Sequence, residues 1–323
     1  MTDLRVAVVG VGIMGAYHAT ALAFRTAGAR VTVVADPSAE RAAAVAATVG
    51  ARVATDAREA IAADDVDAVV LASPGPAHEE QVLACLARGV PVLCEKPLTT
   101  ESASAYRLVR APRSELVQVG FMRRFDTEYR ALRELAVSGE IGAPLLLHCV
   151  HRNPAQRPAF DSTMMLRDSL VHEADVTRFL LGEEIVAVTV VRPRASSAAP
   201  AGVSDPMLVL FETASGRLVD VELFMRTGVA YEVRTELVAE RGSAVIGLDQ
   251  GLLTRRAGGA WGGALSADFL ERFGPAYDAE LQAWVAGAGG PGVWDGYAAV
   301  AVCEAAVESE RTGERTLVRL EPR

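Results

Sequence analysis

Residues 4–36 read LRVAVVGVGIMGAYHATALAFRTAGARVTVVAD. Leu4 to Val9 is a short, largely apolar run of the kind that forms a buried parallel strand. It opens directly into Gly10-Val11-Gly12-Ile13-Met14-Gly15, and a helix is expected over about residues 13–27. A second strand, Arg30 to Ala35, ends at Asp36, completing a βαβ unit. Gly10 permits the tight turn, Gly12 lets backbone approach a pyrophosphate, and Gly15 lets helix and strand pack closely. The helix N-terminus, at Ile13 and Met14, then faces the anion. Asp36 lies 21 residues beyond Gly15, the spacing of an acid that hydrogen-bonds ribose hydroxyls. A lone GxGxxG is weak, but strand, helix, strand and terminal acid together point to a dinucleotide. A carboxylate at Asp36 repels a 2′-phosphate and Pro37 has no donor to bind one, so NAD is favoured over NADP; Arg41 works against that preference.

The alternation continues with helix 38–49, strand 52–54, helix 56–63 and strand 67–72. The loop that follows, Ser73-Pro74-Gly75-Pro76-Ala77-His78, lies at the carboxyl end of a strand, where open α/β sheets bind ligands. Ser73, Pro74 and His78 are therefore candidates for cofactor contact. Strand 90–94 ends in Glu95-Lys96-Pro97. Most lysines are solvated surface residues, but Lys96 leaves a buried strand directly, and Pro97 restricts the residue before it. Glu95 and Lys96 join the candidate crevice. A helix over 100–111 and a strand over 115–120 complete a dinucleotide-binding Rossmann domain expected over residues 1–121.

Residues 122–323 read differently. After the crossover FMRRFDTEY at 121–129, helix 126–138 precedes strand 144–152, on which Leu147, Cys149 and His151 share one face and Asn153 continues it. His148 points the other way. A Pro-rich loop, 154–158, leads to LRDSLVHEADVTRFLL at 166–181, in which Asp168 and His172 are four apart. In one helix they would stack on one face together with Asp175 and Phe179. Such a pair is either an ordinary acid and base on a solvated face or a carboxylate that orients a general base. Strands at 186–193, 206–213, 217–224, 231–239 and 243–248 follow without intervening helices, so the second domain is α+β with a mostly antiparallel open sheet. Two helices, 265–286 and 294–311, and a strand over 316–320 end the chain.

Composition narrows the classes. At 323 residues two domains are expected, and a net charge of −9 disfavours binding to nucleic acid or an anionic membrane surface. The four cysteines, Cys85, Cys94, Cys149 and Cys303, lack CxxC spacing and lie in apolar segments, supporting neither a zinc site nor a disulfide framework. No stretch approaches the roughly 18 apolar residues of a membrane span. The opening residues lead straight into a strand without a basic region or cleavage site, so a cytoplasmic protein with a small-molecule ligand is expected.

With GVGIMG at 10–15, Asp36, Glu95-Lys96-Pro97 and Asp168-x3-His172 in this order, the chain resembles the Gfo/Idh/MocA oxidoreductase family. Within it, GPAHE at 75–79, VQVGFMRRFD at 117–126, HCVHRNP at 148–154, DSLVHEADV at 168–176, AYDAELQAW at 276–284 and WDGY at 294–297 are similar to the inositol-oxidising members. The resemblance implies NAD-dependent oxidation of a ring hydroxyl of myo-inositol or a close isomer. It implies Lys96, Asp168 and His172 as the catalytic set, and Arg123, His151, Asn153, Tyr231 and Tyr277 lining the polyol pocket with Asp168 and His172. It also suggests a homotetramer. Pro74 departs from the tryptophan that often precedes GPAHE in those enzymes, which leaves the substrate range open. Three rivals stand beside this reading: an NAD-dependent regulator without catalysis, a metal site of Asp168, His172 and His151, and use of NAD without net redox. Hydride transfer itself requires no metal.

Overall fold

The structure is a computed structural model that describes residues 3–54, 56–157, 159–248, 254–256, 259–261 and 265–323, with 254–256 and 259–261 described by backbone alone. The chain separates into two compact units: residues 1–125, 275–301 and 320–323, and residues 126–274 and 302–319. The expected division after Phe121 assigned the whole C-terminal half to the second domain. Residues 275–301 return instead to the first unit, because Leu281 and Trp284 are apolar anchors in its core, packed with Val6, Leu22, Val34 and Leu93.

In the first unit, β1 (Leu4–Val9), α1 (Ile13–Phe24), β2 (Ala29–Ala35), α2 (Ala39–Val49), β3 (Arg52–Ala54), α3 (Ala57–Ala62), β4 (Ala68–Leu71), α4 (His78–Arg88), β5 (Val92–Glu95), α5 (Ser102–Val109) and β6 (Val117–Gly120) alternate as the sequence pattern requires. The sheet order is β3-β2-β1-β4-β5-β6, every pair parallel. Successive strands first move to one side of β1 and then resume on the other at β4. Two loops diverge at that switch point and leave a crevice. Val6, Ala7, Val8, Val69, Val70 and Leu71 have no exposed surface, as strands covered by helices on both faces should.

The second unit contains α6 (Thr127–Ser138), β7 (Pro144–Arg152), α7 (Ser162–Met164), α8 (Leu170–Leu181), β8 (Ile185–Val191), β9 (Met207–Thr213), β10 (Leu218–Phe224), β11 (Glu232–Ala239), β12 (Gly242–Ile246) and the short hairpin β13 (Thr254–Arg256) and β14 (Gly259–Trp261). The chain closes with α9 (Phe269–Val285), α10 (Val293–Thr312) and β15 (Thr316–Leu317), whose pairing with β8 completes the sheet. Its order is β12-β11-β7-β10-β9-β8-β15. Among the described residues only β7 with β10 is parallel in this sheet; the other pairs are antiparallel. Leu147, Val209, Phe211, Val221 and Leu237 point from alternate positions to one buried face, on which α8 lies.

The stretch expected as one helix over 166–181 is divided. Residues Met165–Ser169 form a π-turn in which the Leu170 N–H donates to Met165 O, five residues back. The inserted residue interrupts the 3.6-residue phase, so the four-residue step from Asp168 to His172 does not amount to one α-helical turn. Beyond it α8 is buried almost all round, with Glu173 and Asp175 each 1% exposed. The solvated-face reading of this helix therefore does not hold.

The glycines of the first loop differ in what a side chain would meet. A Cβ on Gly15 would sit 1.8 Å from the Gly10 carbonyl oxygen, whereas one on Gly12 meets no atom of the described residues within 4 Å. Gly15→Ala is expected to destabilise the fold by about 1–3 kcal/mol or more through overpacking, and Gly12→Ala to remain close to the parent. Denaturant titration of both variants checks this, and equal stabilities would contradict it.

Candidate active site

The cofactor half is built at the carboxyl ends of β1, β2, β4 and β5. Gly10 turns with φ of 80°, and its ideal Cβ would lie 2.6 Å from Ser73, so the loops after β1 and β4 approach closely only at glycine. Gly12 stands at the N-cap of α1 without a side-chain cap, and Gly12 and Ile13 are exposed with Met14 half-buried behind them. These N-terminal amides and the space above Gly12 form a cradle of the kind that holds a pyrophosphate. Asp36 is 5% exposed and accepts from the Val11 N–H at 2.9 Å, the Ser38 N–H at 2.8 Å and Arg41 Nη2 at 2.8 Å. Burial opposes its ionisation, but the two amides and the Arg41 guanidinium hold its carboxyl below the ordinary range. An ionised acid at the end of β2 suits a ribose diol and opposes a 2′-phosphate.

In the loop after β4, Ser73 Oγ donates to Gln81 Oε1 at 2.5 Å and Pro74 is exposed. His78 is 1% exposed and spans two loops, with Nε2 2.7 Å from Ser73 O and Nδ1 2.9 Å from Pro97 O. Expected as a cofactor contact, His78 is placed as a brace between the segments carrying Ser73 and Lys96. Glu95, likewise expected at the cofactor, is 6% exposed and receives His18 Nε2 at 2.7 Å and the Lys96 N–H at 3.1 Å. Lys96 itself is half-buried at the strand end. Arg123, in the 3₁₀ turn Met122–Phe125 after β6, is 2% exposed. Tyr277, 3% exposed, packs on the rings of Tyr17 and His18 at centroid distances of 5.6 and 5.9 Å.

In the second unit, His172 on the first turn of α8, His151 at the end of β7 and Tyr231 converge: the His151 ring lies 6.2 Å from His172 and 6.0 Å from Tyr231. All three are under a tenth exposed. The acid beside His151 is Glu173, whose Oε1 lies 3.0 Å from Nδ1. Asn153 Nδ2 donates to Met225 Sδ at 3.1 Å, and the Asn153 carbonyl accepts from the Thr227 N–H and hydroxyl. A cavity of about 490 Å³ is lined by Ala155, Gln156, Arg157, Phe160 and Asp168. Its wall is held by Arg226, which donates to Phe160 O at 2.6 Å and Arg157 O at 3.3 Å and pairs with the fully buried Asp205. A buried cluster of imidazoles of this kind can take up a proton from a hydroxyl brought against it.

A family model described as an oxidoreductase family with an NAD-binding Rossmann fold, GFO/IDH/MocA, matches residues 4–121, and the GFO/IDH/MocA C-terminal domain matches residues 129–245. The chain belongs to the GFO/IDH/MocA oxidoreductase family. Inositol 2-dehydrogenase of Rhodococcus erythropolis is 58% identical, the match covering 98% of this chain and 95% of that protein. Inositol 2-dehydrogenase of Mycolicibacterium smegmatis is 56% identical over 99% and 97%. The crystal structure of myo-inositol dehydrogenase from Lactobacillus casei, in complex with NAD(H) and myo-inositol, superposes with a TM-score of 0.94 at 32% identity, covering 100% of this chain and 98% of that one.

Three site features of this GFO/IDH/MocA oxidoreductase carry no signal in the sequence pattern. Glu173 adjoins His172, so a search for acids at helical spacing passes over it. His18 sits in a helix face that resembles ordinary core, and its partner Glu95 is 77 residues away. Arg226 and Asp205 lie in loops with no motif. Of the braces, His78 has a measurable signature, because burial pushes its imidazole below the ordinary 6.5 despite two facing carbonyls. Between the depressed folded value and 6.5 the unfolded chain binds more proton, so its contribution to stability is complete above about pH 6.5 and is lost as the pH falls through that window. The wild type should lose more Tm between pH 7.5 and 5.5 than His78→Gln; equal losses would contradict a neutral His78.

Proposed function

We propose that this chain is an NAD-dependent inositol 2-dehydrogenase, oxidising a ring hydroxyl of myo-inositol or a close isomer to the ketone. The observation that carries the reading is the 58% identity to a protein of that name over nearly the whole of both chains. The open cradle above Gly12 and the ionised Asp36 support NAD as the cofactor. NAD, when bound, supplies the acceptor for the hydride that leaves the hydroxyl-bearing carbon.

His172 is the general base that takes the proton of the reacting hydroxyl. Asp168, at the wall of the cavity, supports the imidazolium that forms. Lys96 donates from Nζ to the reacting oxygen and stabilises the charge that develops there. His151, kept in one orientation by Glu173, is assigned with Arg123, Asn153, Tyr231 and Tyr277 to the polyol hydroxyls, since each hydroxyl buried from water needs a partner.

The reading includes a first domain for NAD, a second for substrate and assembly, and a homotetramer. Support for assembly comes from the outer face of the second sheet, where Leu210 and Leu218 are 37% and 48% exposed on the face that also carries the ion pairs of Arg152 with Glu222 and Glu232. A cytoplasmic location accords with four buried cysteines, none of them in a disulfide, and no described helix is long and apolar enough to cross a membrane. The exposed Pro74 favours, as a second reading, a related polyol or pyranose dehydrogenase of the same family.

His172→Ala is expected to lower kcat by about 10²–10⁴-fold, the usual contribution of a positioned base, with NAD affinity near that of the parent. Turnover close to wild type would remove His172 from the role. A screen of NAD reduction across inositol isomers and simple aldoses, with NADP in parallel, is expected to give the highest kcat/KM with myo-inositol and NAD. A preferred aldose would establish the second reading, and no NADH with any polyol would overturn both.

A further inference from the structure

Lys96 is the one residue of the proposed catalytic set that leaves a strand end without a helix to orient it, so its direction must come from its neighbours. Glu95, immediately before it, turns its side chain back into the first unit. One carboxylate oxygen, Oε2, accepts the Lys96 N–H at 3.1 Å and the other, Oε1, meets His18 Nε2 at 2.7 Å. His18 has no exposed surface and projects from α1, the helix whose N-terminus forms the cradle. Its orientation is not free: the ring edges of Tyr17 and Tyr277 stand against it at 6.1 and 5.9 Å with interplanar angles of 79° and 76°. Its Nδ1 has no hydrogen-bond partner among the described residues, so the contacts select the Nε2–H tautomer, which donates to the carboxylate. The space for the Glu95 carboxyl exists because residue 120 is glycine; a Cβ there would stand 3.2 Å from its carboxyl carbon.

We propose that His18 is a positioning residue for Lys96, holding the Glu95 carboxylate so that its second oxygen fixes the backbone from which the ammonium extends. A buried carboxylate with a single amide donor would be free to rotate away and is costly to leave half-satisfied. With His18 donating, both oxygens are engaged, and α1 and the end of β5 are registered to each other within the same unit. The proposal rests on the assignment of Lys96 as the donor to the reacting oxygen.

The test compares His18→Leu, which removes the donor, with His18→Gln, whose amide nitrogen can occupy the place of Nε2, in the wild-type and Lys96→Ala backgrounds. Readouts are kcat with myo-inositol and NAD, the dissociation constant of NADH by fluorescence titration, and Tm. His18→Leu is expected to lower kcat roughly ten- to a hundredfold, the scale of a misplaced catalytic group, with NADH affinity changed by less than about threefold. His18→Gln should recover kcat to within about threefold of wild type. In the Lys96→Ala background, where no ammonium remains to be placed, His18→Leu should change the residual kcat by less than about twofold. The proposal is overturned if His18→Leu keeps wild-type kcat, if it loses NADH affinity in parallel with kcat, or if its loss is equally large without Lys96. Should His18→Leu not fold, His18→Asn, polar but too short to reach Glu95, is read in its place, and a kcat near wild type then overturns the proposal. Wild-type turnover in Lys96→Ala alone would instead remove the assignment of Lys96.

Discussion

The first unit depends on a single close approach. Gly15 lies so near the Gly10 carbonyl that any side chain would occupy the position of that oxygen, and Gly10 in turn lies close against Ser73. These contacts bring the start of α1 and the loop after β4 to the end of β1, at the point where the sheet changes direction. From that point the N-terminal amides of α1, the acid at the end of β2 and the Lys96 segment at the end of β5 acquire a common edge. None of them would be placed by its own local preference.

The same edge is reinforced from within by two buried histidines with different partners. His78 reaches two carbonyls, one in the loop after β4 and one in the loop after β5, while His18 reaches a carboxylate. The first links two backbone segments through one imidazole ring. The second orients a charged side chain, and through it the amide of Lys96. Burial makes both strong, since the competing water is excluded and an unmade hydrogen bond would go uncompensated.

In the second unit the corresponding constraint is the burial of α8. A helix with Glu173, Asp175 and Arg178 all buried is sustained because partners reach its charges: Glu173 meets His151, and Arg178 meets Glu184 at 2.6 Å. The π-turn before α8 places Asp168 out of phase with the helix and at the cavity wall. Such one-residue insertions in a helical ladder are frequent at functional sites.

What the sequence determined by itself was everything that follows from local pattern. The apolar runs, the glycine spacing and the acid at Asp36 dictated the parallel sheet and its cradle, because strand burial and close backbone approach depend on residue type at fixed short separations. Alternation on β7 likewise put His151 on the buried face beside Leu147 and Cys149. Tertiary structure alone decided the rest. Residues 275–301 join the first unit because Leu281 and Trp284 find apolar partners there, a choice made between surfaces hundreds of residues apart in the chain. Glu173 became the neighbour of His151, and His18 the partner of Glu95, because a salt bridge or hydrogen bond is fixed by distance in space, which the separation of residues along the chain does not encode.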